Sequence, residues 1–185
     1  MNRVFITFLM VLSMSAPILN GASKVATWDS NVPDIEKTYG LEELIQEDIF
    51  NSIRNFDSLA IGEISAKDMP LVLARMKEMP KLQTIKFFGC DLSNLDEKSP
   101  ALENVKTVLI ANGKFSQGTF RWLAKFPKGS ELVFGGLDMR GSSFDDLGKF
   151  TWITFDNCKI SNSALKLIGK VTEVAFKEVT LVESK

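Results

Sequence analysis

The chain contains no histidine, and that absence removes much of the usual catalytic repertoire. Serine–histidine and cysteine–histidine nucleophile systems need an imidazole base, and histidine-bearing metal sites need the same ring as a ligand. No Asn-x-Ser/Thr triplet occurs, so the sequence offers no acceptor for N-glycosylation. Charge is nearly balanced, with 22 Lys and Arg against 23 Asp and Glu for a formal −1, and there is no basic run. A nucleic-acid binder needs a basic surface to meet phosphates, which this composition does not supply. Cysteines are few, only Cys90 and Cys158. The one long apolar run, within residues 4–12, falls short of the roughly 20 residues that span a bilayer, and Pro17 breaks its continuation.

That run sits in a segment, residues 1–23, that reads as a secretion signal. Arg3 supplies the positive start, Val4 to Leu12 is almost wholly apolar, and Ser13, Ser15, Gly21 and Ala22 are small. An uncleaved anchor and an organellar presequence are the alternatives. The best cleavage point is after Ala22, although Asn20 two places earlier matches poorly. The expected location is secreted or extracytoplasmic (periplasm, cell surface or medium), with no stable membrane insertion once the segment is removed. About 160 residues remain, which suits one domain.

Those residues are organised by an internal repeat. In FTWITFDNCKI, Phe150 to Ile160, apolar side chains occupy places one, four, six, nine and eleven. The same spacing is met by FDSLAIGEISA from Phe56, LQTIKFFGCDL from Leu82, VKTVLIANGKF from Val105, GSELVFGGLDM from Gly129 and VTEVAFKEVTL from Val171. Of the 30 template places 28 are apolar, Gly113 and Gly129 being the exceptions, whereas the overall 45% apolar content would give about 14. The starts are separated by 26, 23, 24, 21 and 21 residues.

The pattern resembles the leucine-rich repeat family, whose signature LxxLxLxxN/CxL recurs at a period in the twenties. It covers about two thirds of the chain. Cys90 and Cys158 stand at the N/C place, while Ile64, Gly113, Leu137 and Val179 depart from it. The resemblance implies an α/β fold: a short right-handed solenoid with a parallel sheet on its concave side and helices and turns on its convex side. A doubly wound sheet competes, but its central strands would be continuous apolar runs joined by longer crossovers. The domain plan is then a signal at 1–23, a lead-in and capping helix at 24–55, and six repeats at 56–185.

Within that plan, residues 24–40 read as extended or irregular. Leu41 to Asn55 has a helical period, with Leu41, Leu44, Ile45, Ile49 and Ile53 on one face, and would cover the open core of the first repeat. Between strands, SQGTFRWLAKF and SNSALKLIGK read as helical returns that turn Phe120, Leu123, Leu165 and Ile168 inward. SNLDEKSPALEN, interrupted by Pro100, reads as irregular. Both cysteines hold the same template place three repeats apart, which with strands about 4.8 Å apart separates them by roughly 14 Å. A disulfide allows about 4.4 to 6.8 Å between Cα atoms, so two buried free thiols are expected.

Three features hint at chemistry, and each has a simpler explanation. Asp145 and Asp146 are adjacent carboxylates, but neighbours in a turn diverge, and acids suit a solvated helix start. The glycines of 135–141 lack the Lys-Ser/Thr ending of a phosphate loop. Asp156 and Asn157 supply one carboxylate, too few oxygens for calcium. The reading is therefore of a non-enzymatic module with no cofactor and no metal.

Binding is expected instead at strand places three, five and seven, which face away from the core. Phe88, Leu109, Val133 and Trp152 fall there on one diagonal, flanked by Lys86, Glu131 and Asp156. An apolar patch with a polar rim suits a protein or peptide partner, such as an envelope or host component, as the family resemblance implies. The alternatives are that such residues merely favour strands, or that residues 24–40 fold back over them. A second function class is structural: the last strand has no cap, so a weak homodimer could form through its edge, guarded by Glu173, Lys177, Glu178 and Glu183.

Overall fold

The computed structural model describes residues 24–28, 37–167 and 170–182. The expected signal, Ile168 and Glu183 lie outside them. In chain order the described residues begin with two antiparallel strands, β1 (Lys24–Trp28) and β2 (Lys37–Gly40). Of the two states expected for the lead-in, extended or irregular, the described part takes the extended one, as a strand pair. It extends the main sheet edgewise, with β1 antiparallel to β3 (Ser58–Gly62) and Ala26 opposite Ala60.

The single helix expected over 41–55 is two, α1 (Leu41–Ile45) and α2 (Glu47–Ile53), broken at Gln46, whose backbone is extended at φ −76° and ψ 121°. The break shifts the helical phase. Leu44, Phe50 and Ile53 are buried, whereas Ile45, expected on the inner face, is 43% exposed. Arg75 holds this end down: its guanidinium lies 4.7 Å from the Phe50 ring centre and 3.2 Å from Glu47.

After this cap the repeats begin. A five-residue stretch with apolar second and fourth residues can bury one face as a strand; six such stretches form strands here, the first five burying both residues. They are β3, β4 (Thr84–Phe88), β5 (Thr107–Ala111), β6 (Glu131–Gly135), β8 (Trp152–Asp156) and β10 (Glu173–Lys177), parallel and adjacent in chain order. Each spans template places three to seven. The short strands β7 (Asp138–Met139), β9 (Lys159–Ser161) and β11 (Thr180–Val182) form a second parallel sheet after the last three. The returns include α3 (Met69–Lys77) and α4 (Gln117–Leu123), two 3-10 turns at Asp145–Leu147 and Asn162–Leu167, and irregular chain after Leu92.

The core lies between the sheet and its returns. In the first five repeats every template place is buried except Phe56, Ala66, Gly113, Phe115 and Gly129. At place six Phe134, Phe155 and Phe176 stack, with ring centres 5.5 Å apart at each step. From the outer side Phe120 and Trp122 enter the same core, and the Trp122 indole donates to the Pro100 carbonyl at 2.9 Å. One return differs from expectation. In the 3-10 turn the period of three buries Ala164 and Leu167, which leaves Leu165 38% exposed.

The two non-apolar template places have backbone reasons. Gly129 adopts φ +92°, and a Cβ on Gly113 would stand 2.5 Å from the Cys90 carbonyl oxygen. A further regularity is conformational: the eighth place, Glu63, Gly89, Asn112, Gly136, Asn157 and Glu178, takes φ between 51° and 63° in all six repeats. In the first five, its N–H donates to the place-seven carbonyl of the next repeat at 2.8 to 2.9 Å. This left-handed turn carries the chain off the strand and binds one repeat to the next.

Cys90 and Cys158 are free and buried, as their common place requires. Each thiol donates to the place-six carbonyl of the preceding repeat, Ile61 or Phe134, at 3.5 Å. Burial pushes the Cys90 thiol up to about 11 and raises Cys158 as well, although nearby backbone N–H groups oppose the shift.

Candidate binding face

Strand alternation and register together decide what stands on the open side of the main sheet. Place three reads Ser58, Thr84, Thr107, Glu131, Trp152, Glu173 from strand to strand; place five reads Ala60, Lys86, Leu109, Val133, Thr154, Ala175; place seven reads Gly62, Phe88, Ala111, Gly135, Asp156, Lys177. Leu109 and Val133 are direct cross-strand neighbours. Phe88 lies one strand to one side and one pleat along, and Trp152 lies one strand to the other side and one pleat back. All four are half-buried, the state of a sheet face with one side against the core and one open.

The expected rim residues are placed with them. Lys86 is beside Leu109 in place five, and Glu131 is beside Trp152 in place three. Asp156 is not simply a rim charge, because it accepts a hydrogen bond from the Lys177 ammonium on the next strand at 3.3 Å. Both residues stand in one column of the sequence pattern, so the pairing is legible there. Between Phe88 and Asp156 the same row holds only Ala111 and Gly135, which leaves a shallow trough across two strands. The lead-in meets this face at its edge: β1 continues the sheet in plane beyond β3.

Trp152 differs from its neighbours in one respect. Its indole N–H is covered and has no hydrogen-bond partner among the described residues. A buried unpaired donor of this kind costs roughly 1 to 3 kcal/mol, so the side chain is held in place by packing on the face rather than by polar contact.

The residues singled out for chemistry are occupied elsewhere. The Asp145 carboxylate accepts bonds from Lys170 at 3.1 Å and from the Ser143 hydroxyl at 2.9 Å, which hold it below the usual carboxylate range. Its neighbour Asp146 faces Gln117, so the two carboxylates diverge. Within the glycine-rich 135–141 stretch, Gly136 supplies the left-handed turn, and Arg140 pairs with Asp138 at 2.5 Å. A groove of about 840 Å³ beside that stretch is lined by Asn112, Gly113, Lys114, Asp138 and Ser142, and by none of the seven face residues. Among the described residues there is no group of three or more acidic, cysteine or histidine side chains placed to hold a metal, and no helix long and apolar enough to cross a membrane.

The molecule is thus an α/β protein built on a six-stranded parallel sheet, one face of which no described element covers. Comparison with protein-family models, curated proteins and solved structures finds no match.

Proposed function

We propose that the chain is a short, right-handed leucine-rich repeat solenoid, exported from the cytoplasm, whose open sheet face binds a protein or peptide without catalysing a reaction. The observation that carries this reading is the placing of Phe88, Leu109, Val133 and Trp152 as half-exposed neighbours on four successive strands. Family membership is supported by the period, by the strand at places three to seven of each repeat, and by the shared turn at place eight. Export is supported by the composition of residues 1–23 alone.

In this reading Trp152 and Phe88 are rigid anchors, since aromatic side chains have few rotamers to lose and dominate interface energetics. Leu109 and Val133 form the floor between them. Lys86, Glu131 and Asp156 set orientation and partner choice more than affinity. The trough at Ala111 and Gly135 admits a side chain or backbone of the partner.

The test compares wild type with Trp152→Ala and Phe88→Ala as baits in envelope or host extracts, with calorimetric titration of each protein that wild type retains. Each truncation should weaken binding by about 2 kcal/mol or more and leave the unfolding transition almost unchanged. Partners retained equally by all three proteins rule this face out.

A further inference from the structure

Among the described residues the core ladder ends with its last apolar side chains exposed. At the last strand, places six and eleven, Phe176 and Leu181, are 38% and 53% exposed, while their counterparts one repeat earlier, Phe155 and Ile160, are fully buried. Strand β10 also lies at the edge of the main sheet, and β11 at the edge of the second.

The hydrogen bonds that β10 leaves open can be read from its register. In a parallel pair alternate residues turn their N–H and C=O groups toward the same neighbour. Glu173 donates its N–H to Thr151 and Lys177 accepts from Asn157, so Glu173, Ala175 and Lys177 point toward β8. Val174 and Phe176 therefore turn their N–H and C=O groups outward. In addition, the eighth-place N–H of the first five repeats, and the place-two carbonyl of the same repeats, bond to the next repeat. Those of the sixth, on Glu178 and Thr172, have no partner among the described residues.

A second copy of this strand fits that edge in one register. If two β10 strands meet antiparallel about a two-fold axis through Ala175, Val174 of each stands opposite Phe176 of the other. Their outward N–H and C=O groups then bond reciprocally, and Thr172 meets Glu178 in the next such pair. The same register sets Glu173 opposite Lys177, a charge-matched pair on both sides of the axis. Shifting the centre to Val174 or Phe176 keeps the hydrogen-bond phase but places Glu173 opposite Ala175, or Lys177 opposite Ala175, and loses both charge pairs. Lys177 already reaches Asp156 at 3.3 Å, so the incoming Glu173 meets it from its other side. The axis is perpendicular to the sheet, so the core sides of both copies coincide. The exposed Phe176 of one copy then stands against Val174 of the other on the core side, while Val179 and Leu181 of the two copies run off in opposite directions from the axis.

We propose that the chain self-associates through this edge as an isologous dimer centred on Ala175, joining two sheets into one and two open faces into a continuous surface. Glu173 and Lys177, which as isolated charges would discourage strand pairing, select this one arrangement.

Equilibrium sedimentation of protein expressed from the full sequence should show mass rising with concentration toward twice the monomer and no further. Mild oxidation of single-cysteine additions then reads the register, because Cys90 and Cys158 are buried and do not compete. At the axis the two Ala175 Cα atoms would be about 4.5 Å apart, within disulfide reach, whereas two Glu173 residues would be about 14 Å apart. Ala175→Cys should cross-link with itself. Glu173→Cys and Lys177→Cys should not do so separately, but should cross-link when mixed. A monomeric mass at every concentration overturns the proposal, as does Glu173→Cys cross-linking with itself as readily as Ala175→Cys.

Discussion

Repeats five and six are written in the same template, lie side by side in perfect register, and differ in almost everything that depends on a neighbour. Phe155 and Phe176 stack nearly parallel, 8° apart, yet Phe155 is fully buried and Phe176 is 38% exposed. Cys158 is buried, and Val179 at the same place is half-exposed. Asn157 and Glu178 share a left-handed turn, but of the two only the Asn157 N–H has an acceptor among the described residues, the Lys177 carbonyl. A template place is therefore a position, and its energy comes from the repeat that covers it.

The largest expected effect tests that statement directly. Phe155→Ala should cost about 3 to 5 kcal/mol in chemical denaturation, because it empties a buried site between two other rings. Phe176→Ala should cost less than half as much, since water already reaches its ring. Equal losses would mean that repeat six is covered in solution, as self-association would cover it, and repeating the measurement on dilute protein separates the two cases.

The thiols sharpen the comparison next. With Cys90 pushed up to about 11 from an ordinary 9.0, its thiolate fraction at pH 8 falls about a hundredfold before access is considered. Alkylation of the native protein at pH 8 should leave Cys90 and Cys158 intact. Val179→Cys, at the same place in repeat six, should react at least about a hundredfold faster than Cys90. Because the buried pKa is raised, reactivity at Cys90 should grow tenfold per pH unit up to about 11, beyond the point where an exposed thiol has levelled off.

The smallest effect concerns the turn. A non-glycine residue in the left-handed region carries a cost of about 1 kcal/mol, which Asn bears more easily than Glu. Glu178→Gly should therefore stabilise the protein by up to roughly 1 kcal/mol. Gly136→Ala should destabilise it by more than that, because its Cβ would also run into the Asn112 side-chain oxygen. Thermal unfolding of the two variants beside wild type checks both signs. A lower Tm for Glu178→Gly would mean that the Glu178 side chain makes a contact worth more than the strain.

Much of this architecture is legible because the repeat encodes it twice, once in the apolar places and once in the spacing. Six strands begin at place three, both cysteines are apart and buried, and the columns of the open face come from alternation alone. The misses are local. An uninterrupted helix would turn Ile45 inward, and the break at Gln46 rotates it out. A period of 3.6 would turn Leu165 inward, and the 3-10 turn uses three. The lead-in is extended, one of its two expected states, and only its pairing along the free edge of β3 is not signalled by its weak alternation. The shared turn at place eight is signalled by Gly89, Asn112, Gly136 and Asn157, and obscured by Glu63 and Glu178, whose side chains do not advertise a left-handed backbone. On the face, identities are readable, but the unpaired Trp152 nitrogen is not, since it depends on how the ring lies among its neighbours.

The amide-to-carbonyl bonds at place eight also govern how a chain of this design can change size. Each reaches only the adjacent repeat, and each leaves from the same torsion. Removing Phe150 to Lys170 would bring Val171 directly after Lys149 and set β10 against β6 with all three surface columns still in phase. Removing a single residue from within a strand would put every later side chain of that strand on the wrong side of the sheet. The returns, which set starts 21 to 26 residues apart, absorb single-residue changes, but the sheet can grow or shrink only in whole steps, each widening or narrowing its open face by one strand spacing of about 4.8 Å.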